Sequence, residues 1–304
     1  MRGYNTATTP VTPNTPKEDG PMRTLIIPAL IAGSALALAA SGTAAHAETV
    51  AAAAEASALD TVLAADIRGE DKVRDKFRNP KQTLEFFQVK PDMVVAEYAA
   101  DAGWYTKILA PLTAQNGKYI GLGVSPDKLD WPAERKARLV EFPSTYPERA
   151  AKATGVGAAS IAAYSTASVP AELQGKVDRV LIFRMLHNMN RWGILGSELD
   201  AMHAMLADDG MIGVEQHRAR ADAPAAYADG SKGYLKEADV IAMFDKHGFE
   251  LAGKSEINAN PDDTADYPGG VWTLPPNLAL KEQDKDKYVG IGESDRMTLL
   301  FKKK

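Results

Sequence analysis

Cysteine is absent from all 304 residues. That excludes a disulfide framework, a thiolate nucleophile and a cysteine-ligated metal, and it accords with an oxidising compartment without requiring one. Runs of lysine and arginine are missing too. With a formal charge of −5 the chain offers no electrostatic footprint for nucleic acid. There is no Gly-x-Ser-x-Gly elbow, so a serine or cysteine hydrolase has no support. Beyond residue 47 no apolar stretch approaches the roughly 20 residues that a membrane helix needs. A metal site would have to pair His187 and His217 with Glu215 or Asp262. That spacing matches no compact ligand motif, so no metal is expected.

The one long apolar run lies near the start, over residues 25–40, behind Arg23. It ends in small residues, Ala45-His46-Ala47, the small-x-small pattern of a signal-peptidase site. The run is short of a membrane span and rich in alanine and glycine, which favours a cleaved secretory leader over an anchor. Cleavage is predicted after Ala47, leaving a periplasmic or secreted product with no membrane attachment. Residues 1–21 are polar and rich in Thr and Pro, and Met22 followed by Arg23 competes with Met1 as the natural start.

Three parts are expected: an extension with its leader over 1–47, a helical segment over 48–90, and an α/β domain over 91–304. Apolar runs bounded by turn residues predict strands at 93–96, 119–122, 178–183, 211–215 and 297–301, a weaker one at 160–164, and one from Phe249 through Ile257. Helical spacing fills the intervals, with 104–114 as the first core helix and 234–247 as the last. Strands alternating with helices predict a doubly wound, mostly parallel sheet with helices on both faces. No helix separates the last two strands, so the final one is expected to run antiparallel. Residues 258–295 form a connection far longer than compact domains usually carry, and such connections are commonly functional or disordered; Trp272, Pro275 and Pro276 favour an ordered, packed loop over a tail.

Glycine is scarce where it is most expected. Residues 93–109 read as a buried strand, a turn and a helix start, the unit that aims helix amides at a ligand above the strand ends. Only Gly103 remains in that turn, and Asp101 stands where a glycine would be looked for. Further on, His187 and Asn188 follow the fourth strand and His217 follows the fifth. Neighbouring parallel strands would bring both imidazoles to one sheet edge, where a histidine can accept a proton near working pH. The competing reading makes each histidine a structural cap of loop backbone. Glu215 either orients His217 or serves as an ordinary loop acceptor. Arg184 is expected to pair with Glu97, with anion binding as the alternative. His203, within a helix, and His247, at a helix end, read as structural. Tyr234, Asn258, Asn260 and Trp272 are candidate substrate contacts: the first as a roof, the others as a polar and aromatic lid. Against that stand core packing for Tyr234 and an Asx-turn ladder with Trp272 plugging the sheet edge.

Seven strands in this order, with an acid ending the first and a long insert before the seventh, resemble the class I S-adenosylmethionine-dependent methyltransferases. The segments 97–112, 183–188, 213–218, 255–264 and 292–297, with the Trp272 loop, are similar to a family of exported bacterial "predicted methyltransferases". The resemblance spans about residues 72–302. It implies a Rossmann-like methyltransferase sheet, S-adenosylmethionine as cofactor and a small-molecule substrate. It maps cofactor contacts onto Glu97, Tyr98, Asp101, Gly103, Gly123 and Ser165, and catalysis onto His187, Asn188 and His217. The chain departs from the family pattern at three places, the first turn and the ends of the second and third strands. Ala99 and Asp101 replace turn glycines, Gly123 stands where an acid would hold the ribose, and Ser165 where an acid would meet adenine. Losing the ribose acceptor should weaken binding by roughly 1–3 kcal/mol, and Gly123→Asp is expected to restore it. The departures also leave open a non-catalytic protein that uses the same fold to bind a ligand or partner.

Overall fold

The central strands are buried almost continuously, and successive residues enter two different apolar layers, which makes a sheet with two covered faces. Ala96, Ile120, Val180, Ile182, Leu299 and Phe301 face one apolar layer, while Val95, Tyr119, Leu181 and Leu300 face the other. The computed structural model describes residues 58–101 and 103–304. The leader, the cleavage point at Ala47 and Ala102 in the turn lie outside the described residues. Among these residues no helix is long and apolar enough to cross a membrane.

The strands are β1 (Val94–Tyr98), β2 (Lys118–Gly123), β3 (Ile161–Ser165), β4 (Val177–Phe183), β5 (Leu206–His217), β6 (Phe249–Ser255) and β7 (Arg296–Lys303). They form one sheet in the order β3-β2-β1-β4-β5-β7-β6. The first five are parallel, and β7 inserts antiparallel between β5 and β6. This is the topology implied by the methyltransferase resemblance, with the antiparallel final strand anticipated from the missing helix. β6 ends at Ser255, short of Ile257, because the chain turns there and Ser255 Oγ accepts the Ile257 amide.

Helices Leu195–Met205 and Glu237–Lys246 cover one face through Leu199, Met202, Val240 and Phe244. Helices Pro80–Phe86, Thr106–Thr113 and Phe142–Thr154 cover the other. Pro80 at the first position of its helix sits where a missing N–H costs nothing. The long connection is ordered: it holds a 3-10 turn, Gly270–Thr273, and a helix, Lys285–Ile291. The charged stretch before Pro80 is also structured, as a 3-10 segment, Asp66–Arg74, followed by a turn of helix, Asp75–Arg78. Trp104 ties it down, donating its indole N–H to Asp71 O at 2.8 Å, while the guanidiniums of Arg68 and Arg78 lie 5.1 and 4.8 Å from its ring. The segment therefore roofs the carboxyl edge of the sheet.

Candidate functional site at the carboxyl edge

The strand order reverses between β1 and β4, and open α/β sheets bind ligands in the crevice above such a switch point. Both bordering strands end in a non-glycine residue held left-handed. Ala99, directly after β1, has φ 53°, and Arg184, directly after β4, has φ 56°. An L residue in this region costs roughly 1–2 kcal/mol, so the surrounding structure must impose it. Tyr105, at the start of the first core helix, stacks on Phe183 with centroids 3.4 Å apart and fills the base of the crevice.

Around this point four arginines meet two buried glutamates. Glu215 accepts from Arg184 Nη1 and Arg296 Nη1, both at 3.0 Å, and from the Tyr105 hydroxyl at 2.8 Å. Burial alone would raise its pKa, but Arg296, Arg184 and Arg78 outweigh that and hold the carboxyl down at about 2. Glu293 accepts from Arg74 Nε at 2.7 Å, Arg78 Nε at 3.0 Å and Arg296 Nη1 at 3.0 Å. The Arg184–Glu97 pair expected from the sequence is not formed; Arg184 turns to Glu215 instead. Nor does Glu215 orient His217, whose Nδ1 lies 2.6 Å from Ser294 Oγ. A cavity of about 160 Å³ opens here, walled by Arg74, Arg78, Arg184, His217, Ser294 and Trp272 among others.

The two histidines do meet. Their ring centroids are 5.6 Å apart, and Trp272 lies 6.1 Å from His187. His217 is half-buried on the cavity wall, while His187 is 4 % exposed, with Nδ1 3.4 Å from Gln216 Oε1. Burial, more than the neighbouring Arg191 and Arg184, lowers His187 to about 4. Burial, the neighbouring His187 and the charges of Arg184, Arg296 and Arg78 hold His217 well below its ordinary value. Both rings are therefore neutral at neutral pH. Asn188 donates to Met185 Sδ, and its Oδ1 is buried without a partner.

The cofactor candidates are dispersed. Glu97 is 7 % exposed and accepts from the Tyr119 hydroxyl at 2.6 Å and Thr106 Oγ1 at 2.7 Å, with Tyr146 closing the cluster. Burial raises its pKa to about 7 against those hydrogen bonds. Tyr98 is buried beside Glu198, a second enclosed acid, which accepts from Thr166 and from the Ser125 amide. Ser165 is engaged with Ser168 in a capping box. Asp101 is exposed and folds over Gly103, where a Cβ would meet its Oδ1 at 2.4 Å. Gly123 lies beneath Phe142, whose ring would be 2.7 Å from any Cβ there. An acid at this position has to displace the Phe142 ring, which works against the expectation that Gly123→Asp restores a ribose contact.

Among the substrate candidates only Trp272 lines the His217 cavity. Asn258 donates to Thr83 and Thr298, and Asn260 to the carbonyls of Ile291 and Glu293. These two asparagines border a separate cavity of about 310 Å³. Tyr234 is fully buried and donates to Asp263. Arg74, Arg78, Glu293, Ser294 and Arg296 were not singled out by sequence reasoning. Their only early signal is the charged stretch before Pro80 and the polar block that precedes β7.

No family model and no curated protein sequence matches the chain. Among solved structures it is similar to a SAM-dependent methyltransferase from Aquifex aeolicus, with 15 % identity over 61 % of this chain and 87 % of the other, at a TM-score of 0.44. It is similar to the [4+2]-cyclase SpnF, with 13 % identity over 75 % and 80 % and a TM-score of 0.45. A third is the Burkholderia thailandensis 1,6-didemethyltoxoflavin-N1-methyltransferase, solved with 1,6-didemethyltoxoflavin and S-adenosylhomocysteine bound. There the identity is 10 % over 91 % and 93 %, with a TM-score of 0.41. With every score below 0.5 these likenesses carry no residue-level correspondence, and it is the chain's own strand order that gives the class I methyltransferase fold.

Proposed function

We propose that this protein is an S-adenosylmethionine-dependent methyltransferase that acts on a small molecule in the periplasm. The observation that carries the reading is the pair of left-handed residues, Ala99 and Arg184, on the two strands that border the switch point. Strain of this kind persists where the surrounding structure over-determines it, and it clusters at functional sites. The residues present suit one end of the cofactor better than the other. The exposed Asp101 carboxylate over the β1 turn attracts an ammonium or sulfonium and repels the cofactor's carboxylate, whereas the end of β2 offers no carboxylate to a ribose. When bound, the cofactor supplies an electrophilic methyl group.

The chain's own residues supply the rest. With Nδ1 committed to Ser294, His217 leaves Nε2 to accept the proton that an oxygen or nitrogen acceptor sheds on methylation. His187, 4 % exposed and bonded to Gln216, supports the His217 ring and the Trp272 wall. The Asp66–Arg78 segment brings Arg74 and Arg78 to the cavity wall. A second reading, a non-catalytic binding protein, is favoured by Phe142 lying over Gly123.

Titration of residues 48–304 with S-adenosylhomocysteine separates the two. Ligand at about 100 times its dissociation constant should add about 2.7 kcal/mol, raising the melting midpoint by roughly 5–10 °C for a domain of this size. No shift at millimolar ligand would leave the binding-protein reading in its place.

A further inference from the structure

We infer that the cavity beside His217 is an anion site, built to take the carboxylate or phosphate of a small molecule through Arg74, Arg78 and Arg184. The charge balance is the first ground. Arg74, Arg78, Arg184 and Arg296 share only Glu215 and Glu293, so two positive charges are left over among the described residues at this edge. His217 is neutral and adds no positive charge of its own. Arg78 and Arg296 are buried and matched in number by the two glutamates, so the surplus falls on the half-buried Arg74 and Arg184, which face the cavity where an anion can pair with them.

The second ground is an orphaned donor. Arg74 Nη2 is buried with no hydrogen-bond partner, although its Nε reaches Glu293, and Arg74 stands on the cavity wall. A guanidinium carries five N–H donors in a fixed fork that matches two anionic oxygens. Arg78 feels that surplus: burial, then the neighbouring Arg184 charge, lowers its pKa to about 10 in spite of Glu293.

Size and lining narrow the ligand. About 160 Å³ falls below the roughly 300–1,000 Å³ of pockets that enclose a whole drug-sized ligand. The cavity therefore admits an anionic group and its immediate attachment, with Trp272 and Val271 offering an apolar wall to the remainder of the molecule. As the substrate pocket of a methyltransferase it rests on the function proposed above; as an anion site it does not.

The test is a thermal-shift and calorimetric titration of residues 48–304 with inorganic phosphate and with benzoate, against chloride at matched ionic strength. Saturable binding of either anion is expected, phosphate alone marking a phosphoryl ligand and benzoate alone a carboxylate. Arg74→Gln should weaken that binding at least about tenfold, and Arg74→Lys should weaken it less because it keeps the charge but loses the fork. Glu293 retains Arg78 and Arg296 in both variants, and the anion-free melting midpoint reports whether each is folded. No saturable binding to the unmodified protein overturns the proposal, as does equal binding by folded Arg74→Gln. Should Arg74→Gln fail to fold, undiminished binding by Arg74→Lys overturns it as well. Anion binding without any response to S-adenosylhomocysteine keeps the site and removes the methyltransferase reading.

Discussion

The ring of Phe142 covers Gly123 at the end of β2, so that a Cβ on residue 123 would lie 2.7 Å from its Cδ1. Glycine at this position belongs to the packing of helix Phe142–Thr154 on the sheet. Gly123→Asp should accordingly destabilise the fold, by about 1–3 kcal/mol from overpacking alone, and lower the melting midpoint by several degrees. In the Phe142→Ala background the same substitution should cost clearly less. A double-mutant cycle by thermal denaturation checks this, and additive losses would remove the steric account.

Two buried groups work against each other in acid. His187 is lowered to about 4 and Glu97 raised to about 7, each mainly by burial. For His187 the unfolded chain binds the proton more tightly, so stability falls as pH drops from about 6.5 toward about 4. For Glu97 the folded chain binds it more tightly, so stability rises as pH drops from about 7 toward about 4.5. Each is worth on the order of 3 kcal/mol. His187→Gln should therefore gain stability on acidification relative to the unmodified protein, and Glu97→Gln should lose it. Denaturant unfolding between pH 4 and pH 7 checks both; parallel profiles for all three proteins would contradict the burial of these groups.

Strand positions were legible in the sequence because apolar runs such as 178–183 are long, continuous and bounded by turn residues, whereas the arrangement of the sheet came with the methyltransferase resemblance. The antiparallel final strand followed from a missing helix. The meeting of His187 and His217 also followed, since neighbouring parallel strands present their ends at one edge. Partner choice was not legible. Arg184 lies within reach of either Glu97 or Glu215 by position. The contest is decided by Tyr119 and Thr106 hydroxyls that already satisfy Glu97, and by the antiparallel register that sets His217 opposite Arg296. Arg74 and Arg78 gave no signal of their own, since a charged stretch before a helix reads as a solvated connector until Trp104 pulls it over the edge.

Export is tested by amino-terminal sequencing. The apolar run at 25–40 and the Ala45-His46-Ala47 pattern lead to a mature chain beginning at Glu48, recovered in the periplasmic fraction. Recovery of a chain that still carries residues 25–40 would remove the periplasm from the proposal and leave the site arguments untouched.

The anion site and the proposed proton acceptor are linked through charge. His217 is held low by burial and then by His187, Arg184, Arg296 and Arg78, so in the free protein it is a weak base. An anion seated among the arginines cancels part of that field. The His217 pKa should therefore rise toward its ordinary value when the anion is bound. Binding would thus move the ring toward the range in which a general base is effective, and only when substrate is present. NMR titration of His217 with and without saturating phosphate or benzoate measures the shift directly. His217→Gln should retain anion binding and a melting midpoint near that of the unmodified protein, while losing about 100-fold in turnover once an acceptor is found. An unchanged His217 midpoint in the presence of bound anion would separate the two sites and return the ring to a structural role against Ser294.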